Sequence, residues 1–264
     1  MPPLIILGYA LALLIGLSLG LLGGGGSILT VPVLHYVLGY GMKTAVPMSL
    51  VVVGLTSAVG AIAHWRTGTV SLRTALAFGP PAIVGALLGA ELGLRVSAEL
   101  QLITFAVIML AAAVSMYGQG LWAPRAVTAT MRVPTLPSEL DRRGGRRLPF
   151  ITLIGAGVGL LTGFVGVGGG FLYVPALVLL GGLSMKRAVG TSLILILLSC
   201  VAGFLRYKGS VALDPRAIAL FTAIAFVGVA AGSQLARRMS AQGLRKGFAG
   251  FLLVMGALVL LLGH

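Results

Sequence analysis

Hydrophobic residues run along this chain in long stretches separated by short polar ones rich in Arg, Lys, Gly and Pro. Crossing the hydrocarbon core of a bilayer takes about 20 apolar residues as helix. Eight segments have suitable size, at 4–38, 44–64, 72–93, 98–118, 149–181, 187–205, 216–236 and 245–263. The first and fifth are too long for one straight crossing. Each carries a Gly cluster near its middle, Gly23-Gly24-Gly25-Gly26-Ser27 and Gly166-Val167-Gly168-Gly169-Gly170, and each cluster is followed by a proline, Pro32 or Pro175. The pattern predicts an all-α membrane protein in which these two segments are broken or re-entrant.

The breaks recur because the chain is a duplication. A shift of 143 positions aligns residues 16–60 with 159–203, and 19 of these 45 pairs are identical. The matches include Gly20 with Gly163, Gly25 and Gly26 with Gly168 and Gly169, Met42-Lys43 with Met185-Lys186, and Ser49-Leu50 with Ser192-Leu193. Similarity continues through Gly85 and Gly89, which match Gly228 and Gly232, to Phe105-Ala106, which match Phe248-Ala249. Two tandem repeats of about four membrane segments each are expected, at 1–118 and 149–264, joined by an Arg-, Pro- and Gly-rich linker at 119–148. If the broken segments are single crossings, the repeats share one orientation. If they are hairpins, the repeats are inverted. Gly85-x-x-x-Gly89 and Gly228-x-x-x-Gly232 are small-residue faces that let helices approach closely, and their role reads as packing.

Composition narrows the class. With 58% hydrophobic and 9% charged residues, the chain is far from an ordinary soluble domain. The net charge of +14 is scattered through short inter-segment stretches, which is the distribution of membrane-loop charge and not of a nucleic-acid patch. With eight crossings, the linker side holds eleven basic residues and the opposite side eight, which places linker and termini in the cytoplasm by a small margin. The N-terminus lacks a basic n-region and reads as a retained first helix. The one cysteine, Cys200, excludes disulfides within the chain and a cysteine metal cluster. All five acidic residues, Glu91, Glu99, Glu139, Asp141 and Asp214, fall at or near segment ends. That argues against intramembrane carboxylate relays and paired-carboxylate catalysis. No catalytic residue, metal site or cofactor is expected.

The Gly clusters are the candidate chemistry. Neither has the Gly-Lys-Ser/Thr ending of a phosphate-binding loop. Close helix packing is one reading. The other is that the glycines unwind the helix and a new half-helix begins near Ser27 or Gly170, whose N-terminal N–H groups attract an anion. Backbone freed at membrane depth is tolerated where it lines a cavity, and broken helices of this kind line transporter sites. On this reading Gly24, Gly25, Gly26, Ser27, Gly168, Gly169 and Gly170 contact substrate, and Pro32 and Pro175 loosen the new half-helices. Ser49, Thr191 and Ser192 lie about a turn inside the next helices, available to substrate oxygens or to ordinary interhelical bonds. Lys43 and Lys186 draw anions to a mouth or follow loop charge bias. His35, His64, Arg206 and Tyr207 are candidates for gating or coupling, the histidines because their pKa suits proton transfer.

The pattern Gly-x-x-Gly-x-Gly-Gly-x-x-x-x-x-Pro in each half, with a following x-Lys-x-Ala-x-x-x-Ser element, resembles the TauE/SafE family of membrane permeases, often labelled sulfite exporters. The resemblance covers essentially the full length. It implies a secondary transporter of sulfite, sulfonates, sulfoacetate or related small anions in the bacterial inner membrane, with uptake and export both represented in the family. The first half departs from the second in carrying Gly24 and Ser27 where the second has Val167 and Gly170. The expected partners are a small anion, the bilayer, a coupling proton or sodium ion and further copies of the chain, with no nucleic acid. The expected mechanism rocks one half against the other. An anion channel, a carrier of carboxylates such as lactate, and an integral-membrane enzyme or assembly subunit are the rival readings.

Overall fold

The computed structural model describes residues 3–93, 95–121, 148–165, 170–205 and 213–262. Gly168, Gly169, Arg206, Tyr207 and most of the 119–148 linker lie outside the described residues. Every regular element among the described residues is helical. The first half contains α1 (Pro3–Leu22), α2 (Gly25–Pro32), α3 (Met42–Trp65), α4 (Leu72–Gly93) and α5 (Ala98–Leu121); the second contains α6 (Leu148–Val165), α7 (Gly170–Pro175), α8 (Met185–Leu205), α9 (Pro215–Arg238) and α10 (Ala241–Leu262). Among the described residues, five stretches are long and apolar enough to cross a bilayer: Lys43–Trp65, Leu72–Gly93, Glu99–Tyr117, Met185–Leu205 and Pro215–Arg238. Their lipid-side positions stay apolar, with Leu76, Val107 and Val227 well exposed, so the chain is an integral membrane protein by pattern as well as by length.

The two long segments of the sequence each resolve into a helix, a break and a shorter helix. Gly23 makes the first break possible, because its φ of 73° is a left-handed conformation that glycine alone adopts freely. Its N–H closes α1 on the Leu19 carbonyl at 2.8 Å. The chain then folds back, bringing Gly26 against Ile15 and Leu19 and Leu38 against Gly8, so α1 and α2 run antiparallel. Pro32 and Pro175 end the short helices. Each leads into a π-helical turn, Val33–Val37 and Ala176–Leu180. A proline cannot donate an N–H to the fourth residue before it, and the wider turn absorbs that defect. The backbone continues through i−5 bonds, Leu38 N to Val33 O at 3.1 Å and Gly181 N to Ala176 O at 2.9 Å.

Each helix of the first half packs on one from the second: α1 on α9, α4 on α6, α3 on α8, α5 on α10 and α2 on α7. Small residues set the first two contacts. A side chain at Gly16 would strike the Ala225 carbonyl, and one at Gly228 the Leu13 carbonyl. Gly85 and Gly89 meet the Ala156 and Leu160 carbonyls, and Gly159 and Gly163 meet those of Ala82 and Ala86. The packing role expected of Gly85, Gly89, Gly228 and Gly232 therefore has identified partners, helices of the opposite half.

The contacts also give the helix directions. α1 and α9 run parallel, as do α4 and α6, because the contacting residue numbers rise together. α3 and α8 run antiparallel, Gly54 facing Cys200 and Gly203 facing Leu50. α5 and α10 are also antiparallel, with Gly256 beside Leu110 and Arg245 Nε donating to the Met116 carbonyl at 2.6 Å. One end of the bundle, the linker end, thus holds the end of α5 and the start of α6. The other, the terminal end, holds the start of α1 and the end of α10.

Charged residues sort differently from the eight-crossing expectation: the α1–α2 hairpin puts the start of α1 at the end opposite the linker, and because α7 runs back against α6, α8, α9 and α10 are reversed relative to the linker. Arg66, Arg73, Lys186, Arg187, Arg237, Arg238, Arg245 and Lys246 all gather at the linker end, where no described residue is acidic. At the terminal end Lys43, Arg95 and Arg216 are balanced by Glu91, Glu99 and Asp214. Linker and described termini are consequently at opposite ends, not together.

Candidate functional site

The two short helices begin against each other in the bundle interior. The Gly170 carbonyl and the Phe171 backbone occupy the space a side chain at Gly24 would need, and a side chain at Gly170 would lie 2.8 Å from Ser27 Oγ. From this junction α2 runs toward the terminal end. The other chain, α7 with its π turn, runs toward the linker end, since Leu180 lies a few residues before the start of α8. Gly24, Gly25, Gly26, Ser27 and Gly170 are all buried here. Two helix N-termini, each with first-turn N–H groups lacking an intrahelical acceptor, therefore face one region.

Hydroxyl groups surround the junction in different ways. Gly24 occupies the N-cap without a side-chain cap, and Ser27 Oγ donates back to the Gly24 carbonyl at 2.8 Å. Ser192, fully buried in α8, donates to the Gly23 carbonyl at 2.7 Å and ties the break to the opposite half. Ser49 Oγ bonds within its own helix to the Val46 carbonyl at 2.6 Å. Thr191 faces away from the break, its hydroxyl accepting the Ser71 N–H at 3.0 Å to fix the start of α4. Gly25 faces the Phe251 ring of α10, 2.9 Å from where a Cβ would stand. Around α7, Phe171 meets Phe105 with ring centroids 5.1 Å apart, and Tyr173 bonds Ser199 at 2.7 Å.

The gating candidates separate into two groups. His35 lies in the π turn near the terminal end, where its Nδ1–H donates to the Tyr40 carbonyl at 2.7 Å and its ring lies against Tyr36. Lys43 opens α3 at the same end. Nearby, Tyr40 donates its hydroxyl to Asp214 at 2.9 Å, and Asp214 caps α9 by accepting the Arg216 and Ala217 N–H groups at 3.0 and 3.1 Å. These backbone bonds, the Ala217 one foremost, and then the Tyr40 hydroxyl hold the Asp214 carboxyl below its ordinary value. Burial and the neighbouring carboxylate push Tyr40 up to about 12.

His64 and Lys186 lie at the linker end, together. They line a cavity of about 130 Å³ with Thr67, Thr69, Val189 and Arg237. His64 is 5% exposed. Its Nε2 faces the Gly20 carbonyl at 3.4 Å and so carries a proton, while Nδ1 meets the Thr69 hydroxyl at 3.1 Å. Arg237, Thr67 and Thr69 are members the sequence reading missed. Nothing in the linear pattern brings the last turn of α9, which carries Arg237, to the end of α3.

The family model described as Sulfite exporter TauE/SafE matches residues 8–259. A "Probable membrane transporter protein" of Xylella fastidiosa (strain Temecula1) is 34% identical over 182 residues, covering 69% of this chain and 65% of the relative. One from X. fastidiosa (strain 9a5c) is 31% identical over 229 residues, covering 86% and 83%. The "Probable membrane transporter protein YdhB" of Bacillus subtilis is 26% identical over 195 residues, covering 74% and 75%. No solved structure matches.

Proposed function

The chain belongs to the TauE/SafE sulfite exporter family of membrane transporters, and from that premise we propose that it is a secondary carrier of a small anion bound where α2 and α7 begin. The observation that carries this reading is the buried junction itself, in which Gly24 lies on Gly170 and two opposed short helices direct N–H groups into the bundle centre. Such a site holds negative charge without a buried cation. The substrate is sulfite, a sulfonate or a related sulfur-containing anion, a class supported by the family description; a carboxylate such as lactate is the second candidate. Ser27 and Ser192 orient it; Gly168 and Gly169, expected to contact substrate from the second copy, lie outside the described residues.

The two copies form an inverted repeat, five helical elements in each, with α2 and α7 re-entrant. Because each half lends a helix to the other, the bodies that move are not the halves. One body is α1, α2, α3 and α9; the other is α4, α6, α7 and α8. Their seam passes between α3 and α8 and between α2 and α7. The positive linker end faces the cytoplasm, in the bacterial inner membrane. The coupling ion is a proton or sodium, and the histidines at the two ends are the proton-carrying candidates.

The test is uptake of radiolabelled sulfite into proteoliposomes. Wild-type protein is expected to give saturable, gradient-driven flux, and Gly24→Leu, whose side chain would separate α2 from α7, to insert but carry none. Undiminished flux through Gly24→Leu would remove the junction from the mechanism. Flux rising linearly with concentration would identify a channel.

A further inference from the structure

We propose that the cavity at the linker end is a second anion site, in which Lys186 and Arg237 hold a small oxyanion one helical turn from the Gly23 break, beside Thr67 and Thr69, whose hydroxyls donate to the His64 carbonyl at 2.8 and 2.9 Å. It rests on the carrier reading for its place on the route, and on its own lining for binding. At about 130 Å³ the space is roughly ten times what a single water requires, ample for a sulfite- or sulfonate-sized head. Two permanent cations face it, and among the described residues no carboxylate lines it. Among the described residues each cation bonds a backbone carbonyl alone, Lys186 Nζ the Arg237 carbonyl at 3.2 Å and an Arg237 Nη the Ala63 carbonyl at 3.3 Å. Donors on both remain for a ligand, since a lysine has three and an arginine five. Charge-assisted bonds from both heads are the strong kind.

The position gives the site a role. Val189, on the cavity wall, lies with its Cα 2.9 Å from where a side chain at Gly23 would stand, and Ser192 bonds Gly23 one turn deeper. An anion here is therefore adjacent to the break. The lining also straddles the seam: Lys186 and Val189 belong to α8, whereas His64 and Arg237 belong to α3 and α9. A bound anion pulls the two bodies together at this end, and its departure frees them. An anionic lipid headgroup offers the same oxygens. The free anion is favoured because Val189 of the cavity wall packs directly against the Gly23 break.

The experiment measures sulfite binding by titration calorimetry to the full-length protein in phosphatidylcholine nanodiscs. Lys186→Gln and Arg237→Gln are each expected to weaken binding about tenfold, whereas Arg187→Gln and Arg238→Gln, equal in charge but outside the lining, leave it unchanged. Equal weakening by all four variants would reduce the site to diffuse surface potential, and no weakening by the first two would abolish it. Repeating the titration with phosphatidylglycerol in the disc separates the sources: unchanged affinity supports a free anion, and competition that depends on Lys186 overturns it in favour of a headgroup. Failure here with Gly24→Leu still blocking flux leaves the carrier reading standing. Weakened binding in the variants without any wild-type flux does the reverse.

Discussion

The two ends of the bundle are built from copies of the same sequence, yet they carry different chemistry. By the 143-position shift, the lining of the linker-end cavity has counterparts in the sequence: Tyr207 for His64, Lys43 for Lys186, Leu94 for Arg237 and Gln101 for Leu244. Tyr207 and Leu94 lie outside the described residues, but their identities already remove the second cation and the imidazole. Gln101 reaches across to the Gly93 carbonyl at 2.7 Å, where the linker end has Leu244. The terminal end instead holds the Tyr40–Asp214 contact, whose counterparts are Leu183 and Ser71. Duplication repeats the backbone device, and later divergence assigns an excess of positive charge to one mouth and a tyrosine–carboxylate tie to the other.

The strongest way to erase this difference is Arg237→Leu, which gives the linker end the residue of its counterpart. Sulfite affinity should fall at least about tenfold, as a charged donor is lost and replaced by an apolar group; calorimetry on the variant beside Arg238→Leu reads the effect. At the other end, Asp214→Ala removes the cap of α9 and the acceptor of Tyr40 together. A drop of a few degrees in melting temperature is expected. Because the folded carboxyl titrates below its ordinary value, its contribution is present above about pH 3.8 and is lost as pH falls through the folded value. The melting temperatures of wild type and variant should therefore converge in acid.

Tyr40→Phe keeps the cap and deletes one hydrogen bond, so a smaller drop is expected, about one or two degrees. Here the sign is opposite. Tyr40 is raised from 10.0 to about 12, so the bond's contribution is complete below pH 10 and disappears between 10 and about 12. A gap between wild type and Tyr40→Phe that persists at pH 12 would show that the hydroxyl is not what ties the π turn to α9.

Much of this was legible in the residues. Gly23 to Ser27, Pro32 and their counterparts marked the breaks, and the 143-residue shift marked the copies. The hairpin was not legible, because the turn from α1 to α2 needs only Gly23 and Gly24, with no polar residue to interrupt the hydropathy of 4–38. The same ambiguity in 149–181 misassigned the sides of Lys186, Arg216 and Arg237, while Lys43 keeps the side opposite the linker, since an added reversal moves every later helix end. Of the two adjacent hydroxyls expected a turn into α8, Ser192 bonds the Gly23 carbonyl and Thr191 turns to Ser71: two adjacent helix positions point about 100° apart, and a pattern of hydroxyls does not say which faces in. The cavity was invisible because its walls come from α3, α8, α9 and α10, brought together only by packing.

The cross-pairing of α1 with α9 and of α4 with α6 bears on how the protein is made. When α1 leaves the translation machinery, the glycine-lined groove meant for it, at Gly228 and Gly232, has yet to be synthesised. Neither copy has a complete interior of its own, so insertion must park early helices in lipid or beside an insertase until their distant partners arrive. Maturation is then a late, concerted closure dominated by contacts remote in sequence, a slow step by topology, and a ribosome stalled before α9 would leave behind a half that cannot stand alone.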